Sequence, residues 1–171
     1  WPQLWKRVER ADILVVATPI WLGQMASETR RVIERLYAHS GELNGKGQSI
    51  FTGKVGGCLV DGNEDGMKHV AAEVLYALQH IGCTIPPQAD AGWVGEAGPG
   101  PSYGDQGADG SIVGGDNEFT KRNLTIAAWN MLHVARLLAD GLPTQGNDRN
   151  AWQDGERFGY EDPSFPFDDG N

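Results

Sequence analysis

"ADILVVATPIWLGQMASETRRVIERL", residues 11–36, decides the fold. Ile13 to Ala17 is an apolar, β-branched-rich run with no polar alternation, the pattern of a strand covered on both faces, as in a parallel sheet. Thr18-Pro19 ends that run, Trp21 falls in the turn, and Ser27 stands where it can cap a helix. The apolar stripe of that helix is Val32, Ile33 and Leu36. A bare connection needs no indole at its tip, so the turn has the chemistry of a wall for something flat and apolar.

The same alternation continues on both sides. Leu4, Trp5 and Val8 are spaced as the buried stripe of a short helix over residues 1–10. Glycines at 41, 45, 47 and 53 mark a loop, and "VGGCLV", 55–60, reads as a second buried strand running into the turn "DGNEDG", 61–66. The helix after it buries Val70, Val74, Leu75, Leu78 and Ile81, with Gly82 suited to its C-terminal cap. "CTIPPQADAGWV", 83–94, holds a third strand weakened by two prolines, and residues 95–116 form a Gly-rich loop. The last long helix carries Leu124, Ala128, Met131, Ala135 and Leu138 on one face. Strands alternating with helices predict an α/β fold with right-handed crossovers. Residues 143–171 have no such period; seven acids against two arginines make them an acidic tail, extended or disordered. The tail's aromatics (Trp152, Phe158, Tyr160, Phe165, Phe167) leave docking on the body or on a neighbouring subunit open.

Composition narrows the partners. A net charge of −9 and a pI near 4.8 argue against nucleic acid and against an anionic membrane surface. No apolar run reaches the roughly 18 residues that span a bilayer. Cys58 and Cys83, each in or beside an apolar run, read as buried free thiols in a reducing, cytoplasmic setting.

In an open parallel sheet, ligands sit outside the carboxyl ends of the strands. If the strands here are parallel, Thr18–Gln24 and Asp61–Gly66 share one edge. The first offers a large apolar wall, and the second offers glycines for close approach plus Asn63 as a two-way hydrogen-bonding group. A flat heteroaromatic ring with polar edges fits that slot.

With these residues in view, residues 1–140 resemble the flavodoxin-like NAD(P)H-dependent FMN reductases and their quinone-reductase relatives. The resemblance rests on "ADILVVATPIWLGQMASETRRVIERL" followed by "GKVGGCLVDGNEDG". It implies a three-layer α/β/α flavodoxin-like domain over 1–142 that holds FMN at its carboxyl edge. Thr18, Pro19, Ile20, Trp21, Leu22 and Gly23 match the first flavin loop, Gly62, Asn63, Glu64 and Gly66 the second, and Trp93 a third beside the ring. It also implies hydride transfer from NADPH or NADH through FMN to a quinone, a second flavin or another small-molecule acceptor, in a homodimer or homotetramer. The family opens with a strand and a Ser/Thr-rich phosphate loop, whereas this sequence opens at Trp1 in what the resemblance makes the second helix. The expectation is therefore an N-terminally truncated domain lacking its first βαβ. The strand at 13–17 would then have a bare edge, and FMN would be held weakly for want of a phosphate cradle.

Blander roles compete for the same residues. Trp21 in a turn is often a surface-packing aromatic. Asp61, Glu64 and Asp65 are commonly turn residues and helix caps, and no His or Cys accompanies them at metal-ligand spacing, so no metal is assigned. His39, His69, His80 and His133 fall singly in helical stretches, and no catalytic side chain is assigned. "GGDNEF", 114–119, reads as a loop and a helix start capped by Asp116 or Asn117. The 95–116 loop is as readily a plain surface loop as a flap over the ring. Three functions remain open on the sequence: an FMN-dependent oxidoreductase, a flavodoxin-type electron carrier, and a non-catalytic fragment unable to hold FMN.

Overall fold

β3 (Val55–Gly62) is the centre of the sheet, paired in parallel with β1 (Ile13–Trp21) on one side and β4 (Asp90–Val94) on the other. β2 (Gln24–Met25) adds an antiparallel hairpin to the end of β1, giving the order β2-β1-β3-β4. The computed structural model describes residues 1–98 and 100–159. The helices are α1 (Pro2–Arg10), α2 (Ser27–Tyr37), α3 (Met67–Ile81), α4 (Glu118–Leu137) and the short α5 (Arg149–Gln153).

Strand parity divides the core in two. Leu14, Val16, Ile20, Cys58 and Val60 pack with Leu36, Val70, Val74, Leu78 and Ile81 under α2 and α3. Ile13, Val55, Leu59 and Ala91 pack with Leu124, Ala127, Met131 and Val134 of α4. Two successive glycines in β3 let both helical layers close on the same strand. A Cβ on Gly56 would fall 2.7 Å from Ile85 Cδ1 and 3.1 Å from Leu78 Cβ, and one on Gly57 would strike Met131 Sδ. Glycine weakens a strand interior in isolation. Here it is exchanged for close contact on both faces.

The structure corrects several expectations. β1 runs on through Thr18 and Pro19 to Trp21, because Thr18 and Pro19 still pair with Val60 and Asp61 of β3. Coverage on both faces holds for β3 but not for β1, where Val15 is 43% exposed and Ala17 and Pro19 are exposed. On the side of β1 away from β3, β2 is the partner strand among the described residues, and it reaches Ile20 and Trp21. Ala26 rather than Ser27 precedes α2 as its cap, and its N–H donates to Thr18 Oγ1 at 3.1 Å. Asn117 caps α4 by accepting from the Thr120 N–H. α4 buries Ala127, not Ala128, since its contact face follows the 124, 127, 131, 134 row.

α1 is held chiefly by its aromatic face. Leu4 is exposed, while Trp5 stacks flat on His39 with 3.5 Å between ring centroids. Trp1 donates its indole N–H to His39 Nε2 at 3.1 Å. His39 thus sits in the turn after α2, held by α1, rather than singly on a helix. Lys54 donates to the Glu9 and Ala11 carbonyls at 2.7 Å each, meeting acceptors that the helix end leaves unpaired.

Residues 142–150 dock on the loop after α2. Gln48, only 2% exposed, donates its amide to the Pro143 carbonyl at 2.9 Å and the Leu142 carbonyl at 3.3 Å. Arg149 donates its backbone N–H to Gly47 O and its guanidinium to Ser40 O, and Asp148 caps α5. Of the tail's acids and aromatics, Glu161, Asp162, Asp168, Asp169, Tyr160, Phe165 and Phe167 lie outside the described residues. Ending the chain at Leu142 would remove the Pro143 acceptor from a buried amide, at about 1–3 kcal/mol. The expected result is a thermal midpoint lower by several degrees in calorimetry, and an unchanged midpoint would contradict this docking.

Cys58 and Cys83 are both buried, and burial pushes each thiol up to about 12. The thiol, not the thiolate, is therefore the folded form at pH 8. Ellman's reagent is expected to modify neither cysteine rapidly in the native protein and both at once on unfolding. Because the folded pKa lies above the unfolded one, this contribution to stability is complete below pH 9 and declines between pH 9 and 12.

Candidate functional site

β1 and β2 are joined by the two-residue turn Leu22-Gly23, with φ of 52° and 74°. Two positive φ values are the signature of a type I′ hairpin, for which Asn-Gly is the favoured pair. Leucine in this conformation is sterically strained, and its side chain is 90% exposed at the tip. Glu64 offsets the strain by accepting the Leu22 N–H at 2.9 Å. The tip also meets the 62–66 turn backbone to backbone: a Cβ on Gly66, whose φ is 125°, would lie 2.7 Å from Gly23 Cα. Leu22, Gly23, Glu64 and Gly66 are thus one joint between the two edge loops. Gly66 is the N-terminal cap position of α3, without a side-chain cap, so neither Glu64 nor Asp65 fills that role.

The strand register then lays out a row. Pro19 pairs with Asp61, and Asp61 pairs with Trp93. By parity all three belong to the α4 face, at the carboxyl end of the sheet. There they line a pocket of about 420 Å³ with Ala17, Leu59 and Leu124. Tyr103 reaches over from the 95–116 segment, its ring centroid 5.8 Å from that of Trp93. That segment is ordered by its own ladder: Gly104 N–H to Val113 O, Val113 N–H to Asp105 O and Gly107 N–H to Ser111 O. Asn63 ties it down by donating to the Gly100 carbonyl at 2.9 Å and the Pro101 carbonyl at 3.2 Å.

The residues expected at the ring therefore divide. Thr18, Pro19 and Trp93 line the pocket, with the Thr18 hydroxyl engaged to the Ala26 N–H and the Pro19 carbonyl. Trp21 lies one pleat beyond Pro19 on the same face, 63% exposed and outside the lining. Ile20 turns to the other face and is buried against Gly62. Asn63 uses its amide on the overlying segment. Asp61, Tyr103, Thr120 and Leu124 are lining residues that sequence reasoning did not assign. Counting by twos along β3 from Val55 and Leu59 would have found Asp61, but nothing local marks the others.

Electrostatically the pocket is sparse. Among the described residues its lining has no Lys, Arg or His, and Thr120 spends its hydroxyl on the Gly92 carbonyl at 3.3 Å. Partial desolvation lifts the Asp61 carboxyl above the ordinary aspartate range, with a smaller opposing pull from the Gly62 backbone. Apolar walls, two aromatic rings and one carboxylate fit a planar heteroaromatic ring. They do not fit a phosphate. Among the described residues, no group of three His, Cys, Asp or Glu side chains is placed to hold a metal ion.

Parallel strands, helices on both faces and a ring-sized slot at the carboxyl edge define a flavodoxin-like α/β domain. The chain belongs to the NADPH-dependent FMN reductase family, whose model matches residues 1–95. It is 41% identical over 143 residues to 8-demethyl-8-aminoriboflavin-5'-phosphate synthase of Streptomyces davaonensis, covering 82% of this chain and 52% of that one. It is 58% identical over 138 residues to the divalent metal cation transporter MntH of Mycobacterium bovis, covering 81% of this chain but 20% of that protein. Among the described residues, no helix is long and apolar enough to cross a membrane. The crystal structure of RosB with bound 8-demethyl-8-formylriboflavin-5'-phosphate superposes with a TM-score of 0.78 at 38% identity, covering 90% of this chain and 58% of RosB. The chain thus spans little more than half the length of these flavin-phosphate relatives.

The strained tip yields a prediction. Leu22→Asn relieves the left-handed strain and is expected to stabilise the fold by about 1 kcal/mol, read as a raised thermal midpoint. A lowered midpoint would mean that the leucine side chain is packed rather than displayed.

Proposed function

We propose that this chain forms the ring-binding part of an FMN-dependent oxidoreductase that takes hydride from NADPH or NADH and passes electrons to a quinone, a flavin or another small acceptor. The observation that carries this reading is the Pro19–Asp61–Trp93 row opening into the apolar pocket under Tyr103. Family membership and the two flavin-phosphate relatives support it. When bound, FMN supplies the hydride-accepting and electron-donating chemistry. The chain's own residues supply position and dryness. Pro19 and Trp93 would flank the ring, Trp21 would border it from the hairpin, and Tyr103 would shield it from water. The Leu22–Gly23 tip, fixed by Glu64 and Gly66, would hold that border at a constant distance.

A second reading is favoured by the relatives' own names: the flavin phosphate is the substrate rather than the resident cofactor. One experiment addresses both. The purified protein is incubated anaerobically with FMN and NADPH, the 450 nm absorbance is followed, and the flavin is recovered for mass spectrometry. Bleaching with an unchanged flavin mass supports the oxidoreductase; a changed mass supports flavin modification. No bleaching and no change overturns the proposal. Within the same reading, Trp21→Ala is expected to weaken FMN binding by about 1–2 kcal/mol through lost stacking. Equal affinity in a fluorescence titration would remove Trp21 from the site.

A further inference from the structure

We propose that Asp61 selects the ring that fills the pocket, by accepting a hydrogen bond from an amide or imide N–H on the ring's edge. The inference deepens the flavin reading above and rests on it. Four observations converge on this side chain. Asp61 stands in the middle of the lining row, between Pro19 and Trp93 on its two neighbouring strands. Among the described residues it is the only carboxylate lining the pocket, and no Lys, Arg or His lines it. The Thr18 and Thr120 hydroxyls there already have protein partners, and the Trp93 indole is a donor only. No ion pair involves Asp61 among the described residues.

In the open pocket Asp61 is exposed to solvent water, with the Gly62 backbone N–H as a further donor to its carboxylate. A planar ligand seated on Pro19, Leu59 and Trp93 strips much of that water away. A carboxylate loses more on dehydration than a neutral group, so the ligand must return a donor at that point. One that cannot is rejected, and this penalty discriminates more sharply than the apolar walls do. Oxidised isoalloxazine carries one N–H, at N3, and nicotinamide carries one carboxamide. Both have the chemistry Asp61 asks for, and they can be told apart.

The test measures dissociation constants by fluorescence titration and calorimetry for two matched pairs. One is FMN against its N3-methyl analogue; the other is NADP⁺ against its 3-acetylpyridine analogue, which lacks the carboxamide N–H. Wild type is expected to prefer the N–H ligand of one pair by about tenfold or more, as for a hydrogen bond to a charged group. The pair that discriminates identifies the ring facing Asp61. Asp61→Leu should abolish the preference, and Asp61→Asn, which keeps an acceptor without the charge, should retain a few-fold remnant. Circular dichroism checks that each variant is folded; if the leucine variant is not, reduced discrimination in the asparagine variant carries the result. FMN binding with no preference in wild type for either pair, or with the preference intact in the variants, overturns the role of Asp61 and leaves the flavin site standing. A wild type that binds neither FMN nor NADP⁺ overturns both.

Discussion

The parallel pairing of β3 with strands on both sides is the constraint on which the rest depends. Its register sets Pro19, Asp61 and Trp93 abreast, and its parity sends that row to the α4 face. Gly56 and Gly57 make the pairing tolerable in a three-layer fold, because Leu78 and Ile85 close on one side and Met131 on the other. A larger side chain at either position would push a helix layer outward and tilt the row that forms the pocket wall. Packing and site geometry are therefore the same problem in this strand.

A second dependence runs along the carboxyl edge. The hairpin tip is strained at Leu22, and the strain is held by a single carboxylate, Glu64, and by glycine-to-glycine contact. Strain of this kind persists where the surroundings over-determine it, and it gathers near sites of function. The overlying segment is fixed from the same turn through Asn63. The 61–66 turn thus sets the positions of both the hairpin beside the pocket and the cover above it.

Much of this architecture is legible in the sequence because it rests on period. Apolar runs at 13–17 and 55–60 and the stripes at 70–81 and 124–138 report strands and helices directly. The end of β1 was hidden, since Thr18-Pro19 has the composition of a turn, yet β3 keeps pairing there. Among the described residues no strand pairs with Pro19 on the side away from β3, where a missing N–H is tolerated. Docking of 142–150 was equally hidden, resting on one buried amide, Gln48, on Arg149 and on backbone groups rather than on an apolar stripe. Within the site, the glycines and aromatics of the edge loops stood out by type. Asp61 did not, because an acid before glycine reads as a turn, and its meaning comes from the strands beside it.

Strand parity also bears on how such a protein can change over time. Point substitutions at the row alter one wall at a time and leave its neighbours in place. A single-residue deletion within β3 upstream of Asp61 has a different effect: it turns Asp61 toward the apolar layer under α2 and α3 and brings Gly62 up beside Pro19. The same lesion that strands a carboxylate in the core also erases the polar point of the pocket. Length variation in this strand is thus purged by folding and by chemistry together, while the 104–113 arm, hydrogen-bonded to itself, is free to lengthen and reshape what the pocket admits.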